Sequence, residues 1–88
     1  MEDEVYQQSQ QGLDLLYKSI ITLLKANPNG LTNTEVTRKL GLQSEYNGKK
    51  ENYLSYSLLG NLMKKNIVEK FKTNERAKNS YYILTFIQ

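Results

Sequence analysis

Between residues 31 and 84 the chain sets three kinds of segment in a fixed order: a short run with a helix-start signal, a longer run rich in leucine and tyrosine, and two β-favouring runs joined by a charged loop. In a chain of 88 residues, 39% of them hydrophobic, that order fills one small core and leaves no room for a second domain. Folding at this size removes only about 60% of the surface that the unfolded chain exposes. The helices and the strands must therefore share one core, or a partner must cover part of it.

Residues 1–8 are polar and acidic, with Val5 and Tyr6 the only apolar anchors beyond the initial Met, and read as a loosely ordered end or the first turn of a longer helix. Over residues 9–26, Leu13, Leu16, Tyr17, Ile20 and Leu24 recur at amphipathic-helix spacing, and Ile21 and Leu23 widen the stripe. Asn27-Pro28-Asn29-Gly30 ends that helix, because proline lacks a donor and Asn and Gly accept turn geometry. Leu31 starts a very short strand. Thr32-Asn33-Thr34-Glu35 has the T-x-x-E form of a capping box, Val36 and Leu40 face inward, and Gly41 ends the short helix in a left-handed conformation.

Leu42 and Tyr46 fold back on the core, and Asn47-Gly48 marks a turn. A third helix is expected from Glu51 or Asn52 to Lys65, with Leu54, Leu58, Leu59, Leu62 and Met63 on its buried side and Ser55 at the edge. Asn66 suits a left-handed cap. Residues 67–72 and 80–86 favour β-structure and flank a polar loop at 73–79, which makes a hairpin. The expected architecture is a single α+β domain over residues 1–88, three helices and a C-terminal β-hairpin.

The chain has no Cys and no His, which excludes the usual zinc clusters, a Cys nucleophile and any disulfide. Its acidic start argues against secretion, and no apolar run approaches the ~18 residues of a membrane span. Carboxylates are scattered: Glu2, Asp3 and Glu4 on a mobile end, Asp14 and Glu35 on helices, Glu69 and Glu75 by the hairpin. No D-x(n)-E-x-K pattern is present, and Glu69-Lys70 has no Asp nearby, so neither a metal site nor a catalytic one is expected. No cofactor is expected either.

Charge is unevenly placed. Residues 1–46 carry four Lys or Arg against six acidic groups, whereas residues 47–88 carry eight against three, so a net charge of +3 splits into −2 and +5. The basic half includes the third helix, whose side opposite Leu59 and Leu62 offers Asn52, Tyr53, Tyr56, Ser57, Gly60, Asn61 and Lys64. Lys49 and Lys50 stand before that helix, and Lys64 and Lys65 close it. These cations can hold phosphates, or, for Lys64 and Lys65, simply complement the negative helix end. Gly60 costs ~1 kcal/mol against Ala in a helix, which either a close approach by backbone or partner or relief of crowding against the first helix would explain. Arg76 and Lys78 lie in the hairpin loop, with Lys70 and Lys72 on its approach and Glu75 cancelling one charge at its tip. Tyr17, Tyr81 and Tyr82 are expected to pack, one ring of the pair 81–82 inward and the other outward.

Gly30-Leu31-Thr32-Asn33-Thr34-Glu35-Val36, Arg38-Lys39-Leu40-Gly41-Leu42, Leu59-x-x-Leu62-x-x-x-Asn66-x-Val68 and Tyr81-Tyr82-Ile83-Leu84 together resemble a winged helix-turn-helix DNA-binding domain. Asn66 stands where that family usually has Gly. The resemblance implies double-stranded DNA as partner, with helix 51–65 in the major groove and loop 73–79 on the backbone or in the minor groove. Base reading would then fall to Asn52, Tyr56 and Ser57. More narrowly, residues 40–59 resemble winged-helix segments attached to some bacterial restriction endonucleases, which implies a targeting module; the stretch between Gly41 and Glu51 is longer than a minimal helix-turn-helix turn. Such a protein would be a bacterial regulator or targeting module, cytoplasmic and nucleoid-associated. The alternative is a protein-interaction or assembly module, as a homodimer or with a larger protein partner, since fold does not dictate function.

Overall fold

The computed structural model describes residues 1–46, 49–74 and 76–85, with 45, 46 and 49–51 as backbone alone. Along it run α1 (Glu2–Lys25), α2 (Asn33–Leu40), β1 (Ser44–Tyr46), β2 (Lys49–Glu51), α3 (Tyr53–Lys64), β3 (Val68–Phe71) and β4 (Tyr81–Leu84).

The acidic start is the first turn of α1, where Glu2, Asp3 and Glu4 face the positive end of the helix dipole and Lys25 sits at the negative end. Residues 1–12 are all exposed; burial starts at Leu13 and is complete at Ile20 and Leu24. Before Pro28, the Asn27 side chain donates to the Leu23 carbonyl at 2.8 Å, satisfying one acceptor that the helix end leaves open. Gly30 then takes φ +99°, and Leu31 pairs with Tyr82 of β4 through two backbone hydrogen bonds of 3.1 and 2.8 Å. The expected short strand is thus a single antiparallel bridge.

The capping box of α2 is complete. Thr32 Oγ1 accepts from the Glu35 amide at 3.2 Å, Glu35 Oε1 accepts from the Thr32 amide at 3.0 Å, and Gly41 closes the helix at φ +67°. Donation by the Thr32 amide holds the Glu35 carboxyl below the usual carboxylate range, partly offset by burial. The folded form therefore gains stability from ionised Glu35 above the unfolded carboxylate pKa and loses it as pH falls through the lower, folded value. Chemical denaturation of wild type and Glu35→Gln across the acid range should show the wild-type advantage shrinking in that window; an advantage constant with pH would refute the linkage.

Ser55, expected at the edge of the α3 stripe, is instead its centre: it is 0% exposed, while Leu54, expected inside, is 43% exposed. The correction has a physical cause. α2 and α3 cross closely enough that a small residue is needed, and the Ser55 hydroxyl meets the buried Thr37 hydroxyl there. Thr37 Oγ1 donates to the Asn33 carbonyl at 2.8 Å, and Ser55 Oγ reaches Asn33 Oδ1 at 2.8 Å. Each buried hydroxyl thus has partners, as burial requires.

Between α2 and α3 an antiparallel pair that the sequence reading did not foresee aligns Ser44 with Glu51, Glu45 with Lys50 and Tyr46 with Lys49. Leu42 does pack on the core. The Asn47-Gly48 turn and the inward packing of the Tyr46 side chain fall outside the described residues.

Asn66, at φ +61°, turns the chain from α3 into the C-terminal hairpin. There Val68 faces Leu84, Glu69 faces Ile83, Lys70 faces Tyr82 and Phe71 faces Tyr81. Alternation puts Val68, Lys70, Tyr82 and Leu84 on one side. Phe71 and Tyr81 lie on the other, their rings 5.8 Å apart. Tyr82 is buried and Tyr81 half-buried, the inward and outward pair expected. The core gathers Ile20 and Leu24 of α1, Leu31, Val36 of α2, Leu58, Leu59 and Leu62 of α3, and Val68 and Tyr82 of the hairpin. Three helices and a C-terminal hairpin thus close on one another, as the sequence predicts.

Candidate nucleic-acid interface

With Ser55, Leu58, Leu59 and Leu62 turned into the core, the 3.6-residue repeat sends Tyr53, Tyr56, Ser57, Gly60 and Lys64 to the opposite side of α3. Tyr53 and Tyr56 are 70% and 58% exposed, and Ser57 and Lys64 are exposed as well. A Cβ on Gly60 would meet nothing within 4 Å, so crowding against α1 does not account for that glycine.

Asn52 sits half-buried at the head of α3. Its side chain donates to Thr34 Oγ1 at 3.3 Å, and its carbonyl accepts from Asn33 Nδ2 and Ser55 Oγ, both at 3.2 Å. These bonds tie the start of α3 to the start of α2. Asn61 is turned toward α1, where its side chain donates to the Tyr17 hydroxyl at 3.0 Å. Lys65 lies over the same ring, 5.6 Å from its centroid. Asn61 thus bridges two helices instead of standing with Tyr56 and Ser57.

Lys49 and Lys50 are in β2, on the approach to α3, and their side chains fall outside the described residues. Arg76 and Lys78 are exposed on the hairpin loop, where the Arg76 amide donates to Asn74 Oδ1 at 2.9 Å and shapes the turn. Glu75 at the tip falls outside the described residues.

Two depressions line this side of the molecule. A shallow one lies among Asn33, Asn52, Tyr53 and Tyr56; through Asn33 and Tyr56 it joins a cleft of about 190 Å³ between α2, α3 and the hairpin, into which Thr34, Lys70, Lys78 and Tyr82 also look. Burial raises the Tyr82 hydroxyl above the ordinary tyrosine range, helped by the neighbouring Tyr56 hydroxyl, so it is a neutral donor at physiological pH. Asn33, Thr34, Lys70 and Tyr82 were not among the candidate residues read from the sequence. Strand alternation could have found Lys70, since it shares a side with Val68.

Among the described residues, no helix is long and apolar enough to cross a membrane, and no group of three carboxylates, His or Cys is placed to hold a metal ion. No protein-family model matches the chain, and no curated protein matches it. Among solved structures it is similar to a point mutant of S. aureus MepR, with a TM-score of 0.65 at 20% identity over 96% of this chain and 60% of that one. The chain therefore spans less than two thirds of the length of that neighbour. The likeness carries the fold: the chain is an α+β winged helix-turn-helix, with α2 and α3 as the helix pair and β3–β4 as the wing.

Proposed function

We propose that the chain binds double-stranded DNA selectively, with α3 in the major groove and the wing loop 73–79 on the backbone or in the minor groove. Asn52, Tyr56 and Ser57 meet base edges, with Tyr53 beside them; Lys49, Lys50, Lys64, Arg76 and Lys78 meet phosphates. The role is that of a regulator or of the targeting module of a larger enzyme, the kind attached to restriction endonucleases included. Gly60 is the observation that carries this reading. It interrupts the outward side of α3 at a cost of ~1 kcal/mol, and no neighbour among the described residues occupies the space that a Cβ would take. A partner that comes close to the helix backbone at that point would make use of that open space. The half-buried Asn61, bonded to Tyr17, has at most a marginal part in reading.

A second reading has its own support. Val5, Tyr6 and Leu15 are large, apolar and exposed on α1, as a homodimer or a protein partner would require.

Fluorescence anisotropy with duplexes selected from a random pool separates the two. Four to six neutralised phosphates give d log K/d log[salt] of about −4 to −5, whereas a protein interface responds far less to salt. Gly60→Ala should raise the stability of the free chain by about 0.5–1 kcal/mol and weaken duplex binding. A flat salt response would transfer the function to the protein-interaction reading, and unchanged duplex affinity in Gly60→Ala would remove the close approach.

A further inference from the structure

We infer that the cleft between the amino end of α2 and the wing is a seat for one backbone phosphate of the duplex, held by the free amides of Asn33 and Thr34, by Lys70 and Lys78, and by the Tyr82 hydroxyl. The inference rests on the DNA reading and adds to it a fixed anchoring point that the outward side of α3 does not contain.

Tyr82 is the feature that marks the cleft as a ligand site. The residue is 4% exposed, yet among the described side-chain hydrogen bonds none involves its hydroxyl. Nor is it among the side-chain atoms that are sealed without a partner; among the described residues that is Thr85 Oγ1. The hydroxyl therefore opens into the cleft that its ring helps to line. The ring is fixed by burial while the hydroxyl is left open, so it is a pre-oriented donor with no described partner to give up when a ligand oxygen arrives.

Every other wall of the cleft offers a donor. At the start of α2 the capping box consumes the Thr32 and Glu35 amides and turns the Glu35 carboxylate onto Thr32. The Asn33 and Thr34 amides, one residue further in, have no acceptor among the described residues and point out of the positive end of the helix dipole. Thr34 Oγ1 accepts from Asn52, so its own proton remains available. From the wing, Lys70 stands directly across the strand pair from Tyr82, on the side that faces α3, and Lys78 comes from the loop. Lys70 is exposed, so its ammonium is free to reach into the cleft. The cleft is open to solvent, and its volume of about 190 Å³ accommodates a tetrahedral oxyanion. Continuity with the depression beside Tyr53 and Asn52 puts that oxyanion on the same surface as the reading helix.

Tyr82→Phe, Lys70→Gln and the full wild-type chain, measured against a selected duplex and an unrelated one, test the seat. Tyr82→Phe removes one oxygen that has no partner among the described residues, so its melting temperature should match wild type while both duplexes bind about ten-fold more weakly, the loss typical of a hydrogen bond to a charged group. The hydroxyl is neutral, so the salt slope should stay as it is; Lys70→Gln should reduce it by about 0.9, one phosphate. Wild-type affinity in Tyr82→Phe, with wild type still binding duplex, would overturn the seat and leave the DNA reading intact. Should wild type bind no duplex, the DNA reading fails. Amide shifts of Asn33 and Thr34 on titration with inorganic phosphate would then reassign the cleft to a free phosphate, and silent amides would remove the anion site altogether.

Discussion

Leu59→Ala is expected to cost about 2–5 kcal/mol, the range for deleting a buried leucine side chain whose cavity cannot fully collapse. Leu59 is 0% exposed, and Ile20 and Leu24 of α1, Val36 of α2 and Val68 and Tyr82 of the wing belong to the same core cluster. A domain of this length has a total stability of roughly 4–13 kcal/mol, so one such cavity can consume a large part of it. Urea denaturation followed by circular dichroism should show a lower midpoint with the slope unchanged. A loss below about 1 kcal/mol would mean that α3 is not the strut on which the other elements close.

Gly30→Ala is the second large effect, about 2–4 kcal/mol, from two causes acting together. At φ +99° the backbone occupies a region that L side chains rarely adopt, and an added Cβ would stand 3.1 Å from both Ile83 Cγ2 and Tyr81 Cβ and 3.3 Å from Phe71 Cε1. These separations lie inside the ~3.5–4.0 Å of favourable carbon contact. The wing would have to lift from the α1–α2 turn, weakening the Leu31–Tyr82 pairing beneath it. Gly41→Ala serves as the comparison, since it shares a positive φ, +67°, but meets no atom within 4 Å. If both substitutions cost the same, packing against the wing contributes nothing and backbone strain is the whole effect.

Signals confined to a few consecutive residues were legible in the chain itself. Thr32 with Glu35, Gly41 and Asn66 announce their helix boundaries because the hydrogen bonds or dihedral angles involved are local. Leu58, Leu59 and Leu62 reveal the inward side of α3 for the same reason, since one helical period spans them. What was not legible depended on distance in sequence. Ser55 outranks Leu54 for the centre of α3 because Thr37, far away along the chain, presses against it. β1 and β2 escape notice because Ser44-Glu45-Tyr46 and Lys49-Lys50-Glu51 have no apolar alternation, and their register is a matter of backbone pairing. The outward side of α3 followed from its leucine spacing, apart from Asn61, whose bond to Tyr17 no pattern announces. The cleft needed three separate elements in place before Lys70, Tyr82 and the α2 amides could be seen to converge.

Tyr82 and Leu31 share both of their backbone hydrogen bonds, and Leu31 immediately precedes the residue that caps α2. The two flanks of α3 are in effect spliced, so neither can swing outward alone. On the proposed binding mode, a duplex lying across such a saddle would have to absorb any mismatch in curvature itself, and the ease with which its own base steps yield would become part of what is selected.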